Sequence, residues 1–286
     1  MQEPIDTRQP ALVEAEIQRI YLEMFPNGNR GFVPEIFQWA GAWFGGRYLD
    51  FQPIDAHYHD LEHTLQGVLC MARILRSRQS SEQHPPLPRR LFELGMLAML
   101  MHDTGYLKRR GDLPGTGAKY TLTHVDRSIG FAKELMGAHG CPPAEILAVK
   151  NMIHCTGINV KLVTIQFQSD LERIVGFSLG TADLLGQMAA PDYVDKLPVL
   201  YSELAEAAEH DTAKMKAGGF FSSAADLKRK TPLFWEKYVQ SKINREFIGL
   251  YKFLNDPYPD GPNPYMDRIE ANVARIRREL AGTARP

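Results

Sequence analysis

RRLFELGMLAMLMHD, residues 89–103, decides the fold. Its apolar side chains fall on nearly every side of a helical wheel, the pattern of a helix buried all round. It ends at His102-Asp103-Thr104-Gly105, where Gly105 can terminate it. On its N-terminal side, Leu61, Leu65, Val68, Leu69, Ala72 and Leu75 make an apolar stripe from Asp60 to about Ser77. Further out, 11–25 carries Leu12, Ile17, Ile20, Tyr21 and Met24 at helical spacing, and PEIFQWAGAWF starts a short helix at Pro34.

Downstream, 104–121 is a long glycine-rich loop, of a length that often covers a site. Thr123 is the expected N-cap of a helix to about His139, with Asp126 as an imperfect capping-box partner. Pro142-Pro143 opens the next helix. VKLVTIQF (160–167) reads as a short extended piece, followed by a helix through SDLERIVGFSLGTADLLGQMA and another from about Tyr193 to His210. Lys214 to Ser223 is a polar break, and two helices, 232–255 and 265–282, close the chain. The expectation is an all-α fold in one domain, 1–286, with a core of 50–210 and helical additions at 1–49 and 211–286. The aromatic side chains Trp39, Trp43, Phe220, Phe221, Phe234, Trp235 and Tyr238 read as packing rather than as a base-stacking platform.

Bulk composition narrows the function classes. The chain has 286 residues, 44% hydrophobic and 23% charged, enough to bury a large core. With 33 basic against 34 acidic residues there is no global basic field for a nucleic acid polymer or a membrane surface. Cys70, Cys141 and Cys155 have neither disulfide-like nor metal-like spacing, which fits a reducing compartment. MQEPIDTRQP lacks the apolar core of a signal peptide, and no run approaches the roughly 18 apolar residues of a membrane span. A cytoplasmic protein is expected.

The chemistry is carried by His63, His102-Asp103, His124, His154 and Asp183. Imidazole nitrogens and carboxylate oxygens in this mixture suit one or two divalent cations of the Mn, Mg, Fe, Zn or Ni type. His63, His102, Asp103 and Asp183 make a first ligand set. Asp103 has two oxygens and can bridge to a second cation held with His124 and His154. Two such cations neutralise phosphoryl oxygens and lower the pKa of a bridging water. A separate group must then protonate the leaving alkoxide, and His59, one helical turn before His63, is the candidate acid. Glu62 or Asp60 can orient an imidazole or hold a metal-bound water. Lys108, Arg109, Arg110 and Lys119, clustered in the glycine-rich loop, are the candidate phosphate contacts. His57, His84, His139 and His210 have no supporting pattern and read as solvent-facing.

These residues resemble the HD-domain superfamily of metal-dependent phosphohydrolases, whose pattern H…HD…D lies on an all-helical core. His63, His102, Asp103 and Asp183 match it in order, over roughly 50–190. His57-Tyr58-His59-Asp60-Leu61-Glu62-His63 also resembles the YHNxxH signature of the cyclic-nucleotide phosphodiesterase branch, with Asp60 in place of Asn. That likeness implies leaving-group protonation by His59. The longer series with His124 and His154 is similar to the six-ligand sets of HD-GYP phosphodiesterases and of diiron oxygenases like myo-inositol oxygenase. His154 is followed by Cys155-Thr156-Gly157 rather than by a Gly-Tyr-Pro motif. The resemblance implies an HD-type helical bundle and hydrolysis of a phosphoester of a nucleotide or other small phosphorylated metabolite. The alternatives are oxygen-dependent oxidation at a diiron pair and a non-catalytic metal-dependent binding or signalling module. The aromatic-rich terminal helices leave room for a homodimer.

Overall fold

The computed structural model describes residues 5–157, 160–210 and 221–283. At its centre every residue of helix α4 (Arg89–Met101) from Phe92 to Met101 is buried, as its all-round apolar surface requires. Around it pack α3 (Leu61–Ser80), α6 (Pro143–His154) and α7 (Asp170–Met188), with smaller contacts to α2 (Phe32–Phe44) and α5 (His124–Ala138). Helices α1 (Pro10–Met24) and α2 lie against α3. On the other side α8 (Tyr193–His210), α9 (Ala224–Phe234) and α10 (Pro264–Thr283) pack on one another, and α10 reaches α7. One buried apolar cluster runs from Val13 in α1 to Ile276 in α10.

The fold is all-α. Among the described residues there is no strand, only the isolated bridges Gly45–Pro53 and Phe51–Arg109. The extended piece expected at 160–167 is instead a 3₁₀ turn over Leu162–Thr164, with Val163 91% exposed. A lone apolar segment has no neighbour to accept its backbone hydrogen bonds, so β-type composition does not make it a strand.

Three other local expectations change. Thr123 stands at the N-cap position of α5, but its hydroxyl donates back to Tyr120 O (3.3 Å) and caps nothing. The 104–121 loop contains two 3₁₀ turns, Thr104–Tyr106 and Gly117–Tyr120. The helix expected at 232–255 begins earlier, at Ala224, where Ser223 Oγ accepts from Asp226 N (3.1 Å). Past Pro232 and Phe234 it widens into π turns at Trp235–Val239 and Lys242–Glu246, and ends as a 3₁₀ turn at Leu250–Leu254. Pro232 lacks an N–H for the α ladder. The break expected from Lys214 lies outside the described residues as far as Phe220, as does the aromatic side chain of Phe220. No helix among the described residues is long and apolar enough to cross a membrane.

Two glycines position the site. Gly186 of α7 lies against the backbone of α3, where an added Cβ would stand 2.9 Å from Gln66 C and O. This close crossing brings the N-terminal turn of α3 and the C-terminal half of α7 together. Gly105 approaches the start of α5 so closely that a Cβ would stand 2.0 Å from His124 O, and its N–H donates to Ser128 Oγ (2.8 Å).

Candidate metal centre

The C-terminal end of α4 delivers His102, its C-cap, and the next residue Asp103 into the interior, with residue exposures of 1% and 2%. His102 Nδ1–H donates to Met99 O (2.8 Å), which leaves Nε2 as a lone-pair donor. His63 enters from the first turn of α3. That turn is capped by Asp60, whose Oδ1 accepts from His63 N (2.9 Å). Asp183 comes from α7. The four side chains converge. His63 Nε2 lies 3.2 Å from Asp103 Oδ2 and 3.3 Å from Asp183 Oδ1, while His102 Nε2 lies 3.2 Å and 3.5 Å from the same two oxygens.

His124, first residue of α5, faces the other oxygen of Asp103, with Nε2 3.7 Å from Oδ1. Its Nδ1–H donates to Thr121 O (2.6 Å), the same anchoring to the carbonyl three residues back that His102 shows. The two oxygens of Asp103 therefore address different imidazoles.

Burial alone would lower the imidazole pKa of His63 and raise the carboxyl groups. The opposite charges override it: Asp103 and Asp183 hold His63 up to about 9 and His102 well above its ordinary value. The imidazoles hold Asp103 and Asp183 well below the carboxylate range. His124 moves the other way, lowered by burial that Asp103 only partly offsets.

These residues fit a divalent cation. His63, His102 and Asp103 offer ligand atoms all within 4.8 Å of one another. His102 Nε2 and Asp103 Oδ2 are buried without a hydrogen-bond partner, an arrangement that native interiors rarely tolerate without an ion or water. The donor set, two imidazole nitrogens and two carboxylate oxygens, suits Mn, Fe, Zn or Ni better than Ca. The centre is also one-sided. His63, His102 and Asp103 keep 5%, 1% and 3% of their side-chain surface, whereas Asp183, His59 and His124 keep 14%, 16% and 19%.

His59 stands on that open side without joining the cluster. Its Nδ1 lies 2.5 Å from Glu203 Oε2, and its ring stacks on Tyr106 (centroids 4.5 Å, interplanar angle 10°). Tyr106 stacks in turn on His124 (4.8 Å, 20°). Glu203 also accepts from Tyr58 N (2.7 Å). Burial raises the Glu203 carboxyl, yet the His59 ring and the backbone N–H groups of Tyr58 and His59 bring it below its ordinary value.

Sequence reading missed Glu203 and Tyr106. Glu203 sits in YSELAEAAEH, where one of several glutamates on a polar helix carries no local mark, and only the pairing of α8 with the His59 turn selects it. Tyr106 follows the HD pair by three residues and is 1% exposed, a signal that its position in the loop conceals.

Other candidates are placed elsewhere. His154, last residue of α6, has Lys150 and Asp126 as its charged neighbours. Among the described residues no ion pair or ring contact joins it to Asp103 or His124. The loop cations are mostly engaged. Buried Lys108 pairs with Asp55 Oδ2 (2.8 Å) and donates to Gly115 O (2.5 Å). Arg109 bonds Asp50 and Glu134 (3.1 Å) over the Phe51 ring. Lys119 bonds Asp112 and Pro114 O (2.7 Å). Arg110 is exposed. Glu62 receives Lys196 Nζ (2.7 Å) rather than an imidazole. Cys155 is buried away from the cluster, its Sγ 3.5 Å from Asn151 O.

The Npun_R2479-like family model matches residues 110–255, half of the chain. The chain belongs to the Npun_R2479-like family. Comparison with curated proteins and with solved structures gave no match. In this Npun_R2479-like chain the matched region carries His124, Asp183 and Glu203, while His59, His63 and His102-Asp103 precede it.

Proposed function

We propose that the chain is a metal-dependent phosphohydrolase of HD-domain type, cleaving a phosphoester of a nucleotide or other small phosphorylated metabolite. The observation that carries this reading is His59: an imidazole gripped by a buried carboxylate, on the open side of the cluster and outside the ligand set. A hydrolase needs such a group for its leaving oxygen, and a diiron oxygenase does not. The oxygenase reading also needs His154 as a ligand, and no ion pair or ring contact joins His154 to the cluster among the described residues.

His63, His102, Asp103 and Asp183 would hold a divalent cation, and Asp103 with His124 would share a second. Bound there, the metal supplies charge neutralisation at the phosphoryl group and an activated water. The remaining work falls to the chain's own side chains. Glu203 accepts from His59 Nδ1–H and fixes the ring, leaving Nε2 to present a proton on the substrate side. Transfer of that proton to the leaving oxygen completes cleavage, and the neutral ring recovers a proton from solvent at its exposed edge. Tyr106 keeps the ring in the plane that this transfer needs. Of the four loop cations, Arg110 is the one whose side chain has no ion-pair partner among the described residues, and it is the candidate phosphate contact. Three free cysteines agree with a cytoplasmic setting.

The test pairs two variants in a phosphoester panel run with Mn²⁺. His59→Ala should keep its metal and lose about 10²- to 10⁴-fold in turnover, whereas His102→Ala should lose metal and turnover together. Full activity in His59→Ala would remove the acid and, with it, the reason to prefer hydrolysis.

A further inference from the structure

A cavity of about 270 Å³ lies at the far end of the helices that build the metal centre, just below the usual size range of small-molecule sites. One stripe of α2 (Phe32, Glu35, Ile36, Trp39), the N-terminal half of α4 and the C-terminal turn of α5 line it. Its floor is apolar: Ile36, Leu97, Leu135 and Met136 are at most 6% exposed. Trp39 stands at the wall, its ring 4.6 Å from that of His139.

The charges at this cavity sort into two kinds. Glu93 is buried and engaged, accepting from Tyr21 OH (2.7 Å) and Arg90 (3.1 Å), and Arg90 closes its fork on Glu145 (2.8 and 2.6 Å). Two lining charges remain available. Arg89 makes only a 3.6 Å contact with Glu93 and keeps 48% of its side-chain surface. Glu35, on the facing helix, is exposed and has no ion-pair partner among the described residues. An apolar chamber with one loosely held cation and one free carboxylate matches a ligand of complementary form.

We infer that this cavity is a second binding site, for a small zwitterion with an apolar or aromatic body. Arg89 receives its anionic group, Glu35 its ammonium, and the chamber floor its side chain. The site is joined to the metal centre by rigid elements. Helix α4 begins at the cavity with Arg89 and ends at His102-Asp103, about 20 Å away at 1.5 Å per residue. Helix α5 begins at His124 and ends at the cavity with Leu135, Met136 and His139. A ligand that fixes the α2–α4–α5 spacing therefore bears on both faces of Asp103. This coupling rests on the metal-centre reading, whereas the binding site itself does not.

The experiment is a titration of the full chain with L-phenylalanine, read by Trp39 fluorescence and repeated by calorimetry. It is run on chelator-treated and on Mn²⁺-treated protein. Trp39→Phe serves as the optical control, and phenethylamine and phenylacetate as single-charge probes. The inference predicts saturable binding, weaker for both single-charge probes, and reduced about tenfold or more in Glu35→Gln and in Arg89→Gln. It also predicts a different affinity in the two metal states, with a reciprocal change in Mn²⁺ affinity. No saturable signal, or affinity unchanged in both charge variants, would overturn the site. Equal affinity with and without bound Mn²⁺ would overturn the coupling alone. A chain that takes up no Mn²⁺ still reports on the site through the chelator-treated arm.

Discussion

At the scale of single residues, the centre is a set of imidazoles and carboxylates whose charges hold one another in place. His63 is raised from 6.5 to about 9 because Asp103 and Asp183 outweigh its burial. A folded-state pKa above the unfolded one gives stability that is complete below about pH 6.5 and is lost as pH rises through about 9. Chelator-treated protein should therefore show a falling urea midpoint across that window, and His63→Ala should show a smaller fall, the remainder coming from His102. For Asp103 and Asp183, whose pKa values are depressed, the sign reverses: their contribution is present above the ordinary carboxylate range and is lost as pH falls through their lowered values. A cation bound here displaces the imidazole protons, so Mn²⁺ affinity measured by competition should rise with pH up to about 9. A second residue-scale test concerns Glu203. Glu203→Gln keeps the shape of the His59 contact but removes its charge. Turnover in the phosphoester assay should fall about tenfold or more with metal content unchanged; unaltered turnover would show that His59 needs no carboxylate.

At the scale of elements, every candidate ligand but Asp183, which projects from within α7, owes its place to a helix end. Asp60 caps α3 at His63, α4 stops at His102, and α5 starts at His124. The capping assignments separate real interactions from sequence look-alikes. Ser169 Oγ accepts from Glu172 N (3.1 Å) at the start of α7, whereas the Thr123 hydroxyl caps nothing. Ser169→Ala should cost about 1 kcal/mol in urea unfolding, and Thr123→Ala should fall well short of that. Equal losses would contradict the hydrogen-bond assignment. Helical periodicity marked α3, α4, α7 and α8 to within a few residues, because burial on one or all sides leaves its period in the sequence. It failed where partners decide. The 160–167 segment has no neighbouring strand, and beyond Phe234 the helix widens into π turns instead of continuing as one α-helix.

At the scale of the whole molecule, the all-α fold and the grouping of His63, His102, Asp103 and Asp183 were legible in the sequence, since HD at the end of a fully buried helix leaves few places for its side chains. The rest depended on how helices meet. Glu203 reaches His59 only because α8 packs over that turn. Lys108, Arg109 and Lys119 look free in a glycine-rich loop, but Asp55, Asp50, Glu134 and Asp112 meet them once the loop folds back. His154 matched a six-ligand series by order and spacing, and among the described residues no ion pair or ring contact ties it to the buried cluster. Elemental mass spectrometry asks whether the buried cluster holds a metal. Protein purified without oxygen or chelator is compared with His102→Ala and Asp103→Ala. One or two equivalents of Mn, Fe, Zn or Ni per chain are predicted, lost in both variants, together with a stability gain of about 2.7 kcal/mol at metal concentrations 100-fold above Kd. A folded chain with no bound metal, and none taken up on addition, would mean that the cluster is not a metal centre.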